Sequence, residues 1–167
     1  MSCNLSTETE LVGYYPGVVG RIIQEHATYY HQHWSFDISF ETQVGRELSD
    51  FMCNFQDGRD GFWVAGINNK FAGAVAIDGR QTDDAGVRLR WFIVSSDFQG
   101  RGIGLMLLRR AVSFCREAGH KRVFLWTFRG LDQARRLYEL AGFRLTEEHS
   151  VTQWGTTIVE QKFELEI

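Results

Sequence analysis

Apolar positions in the first third of the chain recur mostly at helical spacing. A short apolar run at 11–15, ended by the only proline, Pro16, predicts a first strand, and Pro16 suits the first turn of a following helix. Two amphipathic helices are predicted next, with Ser39 as the N-cap of the second. Their apolar stripes are Val18, Ile22, Ile23, His26 and Tyr30, then Phe40, Val44, Leu48, Phe51, Met52 and Phe55.

Short apolar runs, typical of strands, take over after a turn cluster at 57–61. Runs at 62–67 and 71–77 flank Asn68-Asn69-Lys70, which predicts a β-hairpin. A third strand is expected at 87–94. The remaining predicted elements are a helix from Ile103 to about Gly119, a strand at 122–128, a short helix at 134–141 closed by Gly142, and two strands joined near Trp154-Gly155.

This order of elements predicts a mixed α/β fold in one domain. The strand–helix–strand unit at 87–128 should be parallel and right-handed, as such crossovers almost always are. The other strand pairs should be mainly antiparallel, with helices on both faces of the sheet. Because 167 residues is an ordinary length for one domain, we expect residues 1–167 to form it alone.

Composition and charge narrow the class of protein mainly by exclusion. Hydrophobic residues make up 44% of the chain, enough for a core without disulfide or metal support. The net charge of −3 predicts no nucleic-acid surface. With no apolar run of membrane-spanning length and no signal peptide, no membrane partner is expected. Cys3, Cys53 and Cys115 lack paired spacing, so we expect free thiols and a soluble cytoplasmic protein.

Three glycines stand at every second position where the helix after the third strand begins. They are Gly100, Gly102 and Gly104, with Gln99 and Arg101 bracketing the first of them. The first turn of a helix has free N–H groups and a partial positive charge, which suit a phosphate. Glycine lets the backbone approach an anion closely because it has no Cβ. The pattern therefore predicts a phosphate-binding loop.

Two common phosphate loops do not fit the residues present. A P-loop requires a Gly-Lys pair, and the chain has none. A Rossmann site requires G-x-G-x-x-G and an acidic residue after the next strand, where this chain has Phe128-Arg129. The remaining alternative is a glycine-rich turn that binds no ligand. It is disfavoured because three glycines destabilise the start of a helix unless a ligand uses them.

The loop and a later segment together resemble the GNAT N-acetyltransferases. Gln99-Gly100-Arg101-Gly102-Ile103-Gly104 resembles the family signature Q/R-x-x-G-x-G/A, and the stretch at 134–143 is similar to its A-x-x-L-Y-x-x-x-G-F helix. The clear resemblance covers 87–143. The N-terminal part also looks like the acetyltransferase half of bacterial regulator–acetyltransferase fusions. A GNAT-like fold is implied.

The resemblance implies a function and a set of binding residues. It implies transfer of acetyl from acetyl-CoA to a primary amine by direct attack, with Tyr138 protonating the departing thiolate. The strand before the loop would hold the pantetheine arm, and the loop amides the pyrophosphate. The implied acetyl-CoA-binding residues are Phe92, Ile93, Val94, Gln99, Gly100, Arg101, Gly102, Ile103 and Gly104.

The acceptor side of the site is less clearly marked. Many relatives have a carboxylate on the strand before the loop, whereas 87–94 has none, and Leu131 stands where many have asparagine. Glu25, His26, His31 and Glu41 are candidates for the base by location alone. The pair His31 and His33 lacks a third ligand, so no metal is predicted. The candidate acceptor-binding residues are Tyr30, Trp34, Glu41 and Trp126.

Two functions remain open from the sequence. The first is an active enzyme whose acceptor is a small-molecule or protein amine. The second is a catalytically inactive CoA-binding sensor or interaction domain, which the missing strand carboxylate favours and the retained Tyr138 disfavours. Exposed edges of the last two strands are compatible with a homodimer, although the sequence does not fix the oligomeric state.

Overall fold

A computed structural model of the chain describes residues 8–81 and 86–167, in which one seven-stranded sheet is flanked by four helices. The predicted mixed α/β fold is confirmed. The elements are β1 (Thr9–Val12), α1 (Val18–Trp34), α2 (Ile38–Cys53), β2 (Gly61–Ile67), β3 (Lys70–Asp78), β4 (Val87–Val94), α3 (Ile103–Glu117), β5 (Arg122–Phe128), α4 (Asp132–Leu140), β6 (Arg144–Gln153) and β7 (Thr156–Glu166).

The strands lie in the order β1-β2-β3-β4-β5-β7-β6. β4 and β5 pair in parallel, as predicted, and the other neighbouring pairs are antiparallel. The two predicted hairpins are confirmed. In their turns, Asn68 and Asn69 have φ of 51° and 60°, and Trp154 and Gly155 have φ of 55° and 81°. Positive φ at both central residues matches the twist of the flanking strands.

β4 and β5 pair only at their beginnings. The paired residues are Val87 with Val123 and Arg88 with Phe124, after which the two strands separate. β5 continues beside β7 along its whole length, from Arg122 opposite Glu166 to Phe128 opposite Glu160. The sheet therefore opens between the C-terminal halves of β4 and β5, where a ligand can pass between its two faces.

A bulge in β4 changes which side chains face each side of the sheet. Trp91 has φ of 47°, and the register with β3 shifts between Ala74 and Ala76. Before the bulge, Leu89 packs in the core beneath α3; after it, Trp91 packs in the core beneath α1 and α2. The extra residue of a bulge produces this reversal of the strand's alternation.

Each face of the sheet carries its own hydrophobic core. The core on the α3 side includes Leu107, Leu108 and Phe163, all fully buried, together with Tyr138 of α4. The core on the other side joins α1 and α2 to the sheet through residues such as Ile22 and Leu48. The predicted placement of helices on both faces is confirmed.

Several predicted element ends differ from the structure. β1 covers Thr9–Val12 instead of 11–15. Pro16 precedes α1, because left-handed Gly17 with φ of 95° separates it from Val18. The N-cap of α2 is Asp37, whose carboxylate accepts from the N–H of Ser39 at 2.9 Å, so the prediction of Ser39 as cap is wrong by two residues.

Two sequence predictions, one on the cysteines and one on membrane-spanning segments, can be compared only with the described residues. Cys53 and Cys115 are free thiols, as predicted, and Cys3 lies outside the described residues. Across 8–81 and 86–167, none of the helices has the length and apolar character needed to cross a bilayer.

Candidate active site

The glycine loop between β4 and α3 has the backbone of an anion site. Gly100 and Gly102 have φ of 76° and 77°, a region that other residues adopt only with strain. Gly102 is the N-cap of α3, and no described side chain caps this end of the helix. The first N–H groups of α3 therefore have no partner within the helix and point out of its end. No described heavy atom beyond the neighbouring residues lies within 4 Å of the Cβ position at either glycine.

A large open cavity, here called the outer cavity, runs along this loop. Its volume is about 980 Å³, and it lies between β4, α3, α4 and the C-terminal half of α1. Eight of the nine predicted acetyl-CoA-binding residues line it, namely Phe92, Ile93, Val94, Gln99, Gly100, Gly102, Ile103 and Gly104. The ninth, Arg101, instead holds its guanidinium 5.2 Å from the ring centre of Phe98.

A smaller cavity, here called the inner cavity, lies on the opposite face of the sheet. Its volume is about 210 Å³, and it is lined by residues of α1, α2, β4, β5 and the β6–β7 hairpin. The hairpin tip is fixed over α2 because Trp154 Nε1 donates to Gln43 Oε1 at 2.9 Å and the Asp37 N–H donates to the Trp154 carbonyl at 3.0 Å. Tyr30 and Trp126, two of the predicted acceptor-binding residues, line this cavity.

The two cavities meet at the opening between β4 and β5. Four residues line both of them, namely Tyr30, Phe92, Leu131 and Tyr138. A ligand in the outer cavity and a second ligand in the inner cavity can therefore come into contact there. Tyr138 therefore lies at the junction of the two cavities.

Tyr138 is held firmly at the junction by aromatic packing. Its ring centre lies 5.9 Å from that of Phe92, 6.2 Å from Phe143 and 5.8 Å from Phe163. Burial, reinforced by Tyr30, raises the pKa of the Tyr138 phenol well above its usual range. The hydroxyl is therefore protonated throughout the neutral range and can act as a proton donor.

Charged groups line the inner cavity on the face opposite α3. Arg90 pairs with Glu47 of α2, and its guanidinium also lies 3.4 Å from Asp78. The carboxylate of Glu160 contacts the Nε2 of half-exposed His149 at 3.0 Å. Arg88 also lines the cavity, and burial, with a contribution from neighbouring Arg90, lowers its pKa to about 10.

His26 contributes a neutral imidazole to the inner cavity. Its Nδ1 lies 2.8 Å from the carbonyl of Ile22, which can only accept, so Nδ1 carries the proton. Burial lowers the pKa of His26 to about 4, against the opposing effect of this hydrogen bond. The ring is therefore uncharged at neutral pH.

Other predicted acceptor-side residues lie elsewhere. Glu41 is exposed on the first turn of α2 and lines neither cavity. Trp34 lines the outer cavity, where its ring stands edge-on to Phe128 at 4.9 Å. Glu25 pairs with Arg21, and the Nδ1 of His31 bonds the carbonyl of Phe36 at 2.9 Å.

Sequence reasoning missed the polar residues that line the inner cavity. The missed side chains are Gln43, Glu47, Arg88, Arg90, Thr127, Gln153 and Glu160. The sequence signal for this polar cavity was the presence of two arginines, Arg88 and Arg90, in an otherwise apolar strand. A central strand buried on both faces rarely contains arginine. Within the described part of the chain, no group of three His, Cys, Asp or Glu side chains is arranged to hold a metal ion.

Comparison with known sequences identifies the family. The sequence profile of the acetyltransferase (GNAT) family matches residues 21–143, and the chain belongs to this family. An N-acetylaspartate synthetase of Danio rerio is 35% identical over 105 residues, which are 61% of this chain and 37% of the relative. An uncharacterized N-acetyltransferase of Methanocaldococcus jannaschii is 32% identical over 99 residues, 57% of this chain and 43% of the relative. The chain thus spans less than half the length of these relatives.

Solved structures show the same fold at low sequence identity. An acetyltransferase of the GNAT family from Staphylococcus aureus Mu50 has a TM-score of 0.78 at 17% identity, with 95% of this chain and 99% of the other covered. A putative acetyltransferase from Salmonella typhimurium, solved with acetyl-CoA, has a TM-score of 0.73 at 14% identity, with 95% and 94% covered. The predicted family and fold are confirmed.

Proposed function

We propose that this protein transfers an acetyl group from acetyl-CoA to a primary amine. The observation that carries the proposal is the meeting of two cavities from opposite faces of the sheet at Tyr138. The outer cavity has the volume for a large ligand, because drug-sized molecules occupy roughly 300–1,000 Å³. The inner cavity of about 210 Å³ fits only a small acceptor or the end of a chain.

The outer cavity fits acetyl-CoA through its glycine loop. The N–H groups at the start of α3 would bind the pyrophosphate, and the space over Gly100 and Gly102 leaves room for it. The edge of β4 that lacks a β5 partner, from Phe92 to Val94, would bind the pantetheine arm through its free backbone groups. The thioester end would then lie at the junction beside Tyr138.

The chemistry follows from the groups around that junction. Acetyl-CoA supplies a thioester, whose C–S bond breaks as the amine nitrogen forms its new bond to the acetyl carbon. Trp91 and Phe92 lie where the bulge interrupts the ladder with β3, and we assign their N–H groups to the developing oxyanion. Tyr138 donates its proton to the departing sulfur.

The amine must lose a proton before or during its attack. We assign the base to Glu160, because Glu47, the other glutamate in this cavity, is already occupied by Arg90. Glu160 contacts His149, whose ring is half-exposed, so the proton has a route to solvent. In this proposal Glu160 takes the place of the carboxylate missing from β4, whose absence was the observation that favoured an inactive domain.

The relatives leave the acceptor open. Some are named N-acetylaspartate synthetases, and one of Xenopus laevis is a probable N-acetyltransferase, camello. The small inner cavity favours a small-molecule amine over a large folded protein. The homodimer and the cytoplasmic location stay predictions.

Calorimetric titration with acetyl-CoA tests the proposal, with NAD and ATP as controls, followed by turnover with a panel of primary amines. Gly102→Glu should abolish acetyl-CoA binding through charge repulsion, and Gly102→Gln should only weaken it. Gly119→Glu is the matched control, because Gly119 has φ of 80° at the far end of α3 and similarly open surroundings. Equal acetyl-CoA affinity in Gly102→Glu and the wild type would refute the loop assignment.

A further inference from the structure

Arg88 is a largely buried cation whose guanidinium has no hydrogen-bond or ion-pair partner among the described residues. Its Nε is buried, and no described residue accepts a hydrogen bond from it. The ion pairs of the described residues include Arg90 with Glu47 and Asp78, and none involves Arg88. A buried guanidinium without a carboxylate is costly, because it loses water without replacement.

A second unpartnered donor lines the same cavity. The side-chain Nε2 of Gln153, at the end of β6, is buried and likewise has no acceptor among the described residues. Arg88 and Gln153 come from distant parts of the chain, β4 and β6, and both line the inner cavity. Two buried donors around one cavity indicate that the missing acceptor atoms belong to a ligand.

We propose that the acetyl acceptor is an amino acid whose carboxylate binds Arg88 and whose amine points toward the junction at Tyr138. The proposal rests on the acetyltransferase function proposed above. The planar fork of a guanidinium matches the two oxygens of a carboxylate, and Gln153 supplies a further N–H. The acceptor is thus held through a group that takes no part in the transfer.

The charges of the inner cavity favour a carboxylate over a phosphate. Glu47 and Glu160 also line the cavity, so a dianion would meet strong repulsion there. An amino acid brings one negative and one positive group, which match Arg88 and the nearby carboxylates respectively. The volume of about 210 Å³ also suits a ligand well below drug size.

The first test compares each standard amino acid with its own carboxamide as acceptor. In covalent structure the two differ only in the group that would meet Arg88, and rates are compared per unprotonated amine because the carboxamide lowers the pKa of its own amine. For the best acid, kcat/KM should exceed that of the matching amide on the order of 10- to 100-fold, as for a charge-assisted pair. Equal rates, or a preference for the amide, would overturn the proposal while leaving the acetyltransferase function intact.

The second test removes the cation. Arg88→Met should raise KM for the amino acid on the order of 10- to 100-fold and affect the amide far less, because the amide carries no charge for the guanidinium to pair with. Arg88→Lys should be intermediate because a point charge replaces the fork. Arg46→Gln, an exposed arginine of α2, is the control and should leave both rates unchanged. An equal loss with acid and amide in Arg88→Met would show a structural role and overturn the proposal.

A binding measurement separates this proposal from the proposed function. Thermal stability of wild type and Arg88→Met is followed with amino acids alone, without acetyl-CoA. If no amine is acetylated and acetyl-CoA does not bind, the proposed function fails. Stabilisation of the wild type alone by an amino acid would still support the carboxylate site, whereas equal responses of both proteins would overturn it.

Discussion

Gly104 in the first turn of α3 lies directly against Leu137 of α4. A Cβ at position 104 would be 2.7 Å from Leu137 Cδ1 and 3.3 Å from Phe92 Cζ. The third glycine of the loop is thus a packing residue, while the first two have the positive φ that the turn requires. Because Leu137 precedes Tyr138, this contact sets the distance between the glycine loop and the phenol.

Gly104→Val should therefore push α4 away from α3. We expect a loss of about 1–3 kcal/mol in the free energy of unfolding, as for other overpacked sites, and weaker binding of acetyl-CoA. Denaturant unfolding and calorimetry measure the two effects. Gly20→Val is the control, because Gly20 is an exposed helical glycine of α1 with no described atom within 4 Å of its Cβ position. Equal stability of the two variants would contradict the packing role.

Local signals in the sequence were sufficient to predict most of the fold. The boundaries of β4 and β5 agree with the predicted strands because turn residues bound two strongly apolar runs. The Asn68-Asn69 hairpin was predicted from its two turn residues, whose left-handed conformation asparagine tolerates. The family resemblance was carried by two separate motifs, and the Gly104–Leu137 contact shows that the fold brings them together.

The inner cavity could not be predicted from such signals. The bulge at Trp91 reverses the alternation of β4, so simple period-two reasoning assigns Arg88 and Trp91 to opposite faces. Glu160 and Gln153 enter the cavity through pairing of β7 with β5, a contact between distant parts of the chain. Residues that come together only through long-range packing produce no periodic pattern in the sequence.

Tyr138→Phe tests the proton donor at the junction. The phenylalanine ring keeps the packing against Phe92 and Phe163, so stability and acetyl-CoA affinity should change little. The value of kcat should fall by about 10²-fold or more, because the departing thiolate loses its acid. Since burial raises the pKa of Tyr138, the wild-type rate should show no alkaline decline from this group below pH 10.

A control variant at an exposed tyrosine completes the Tyr138 test. Tyr14→Phe, at a tyrosine that is 61% exposed, should leave kcat unchanged. An unchanged kcat in Tyr138→Phe as well would show that the tyrosine is only a core aromatic residue of α4.

Glu160→Gln tests the assigned base. At pH 7 we expect kcat/KM to fall by about 10²-fold or more, because an alkyl amine is mostly protonated there. The deficit should shrink as the pH rises toward the pKa of the amine, where a base is no longer needed. A pH profile of kcat/KM from 6 to 10 measures both effects.

Two other glutamates, Glu164 of β7 and Glu47 of α2, supply the controls for Glu160. Glu164→Gln, four residues along β7 and paired with Lys162 at 2.9 Å, should keep the wild-type profile. If Glu47→Gln shows the pH-dependent deficit and Glu160→Gln does not, the base is Glu47 and the assignment to Glu160 is wrong.

His26 should make the fold sensitive to mild acid. Burial lowers its pKa from 6.5 to about 4, so below pH 6.5 the unfolded chain binds a proton that the folded chain rejects. The stability is present above pH 6.5 and is lost as the pH falls toward 4, by about 3 kcal/mol in all at 1.36 kcal/mol per pH unit. Denaturant unfolding from pH 7 to 4.5 should show this slope in the wild type and in His33→Gln, whose imidazole is exposed. His26→Gln should lose it, and an unchanged slope in that variant would assign the acid sensitivity to other groups.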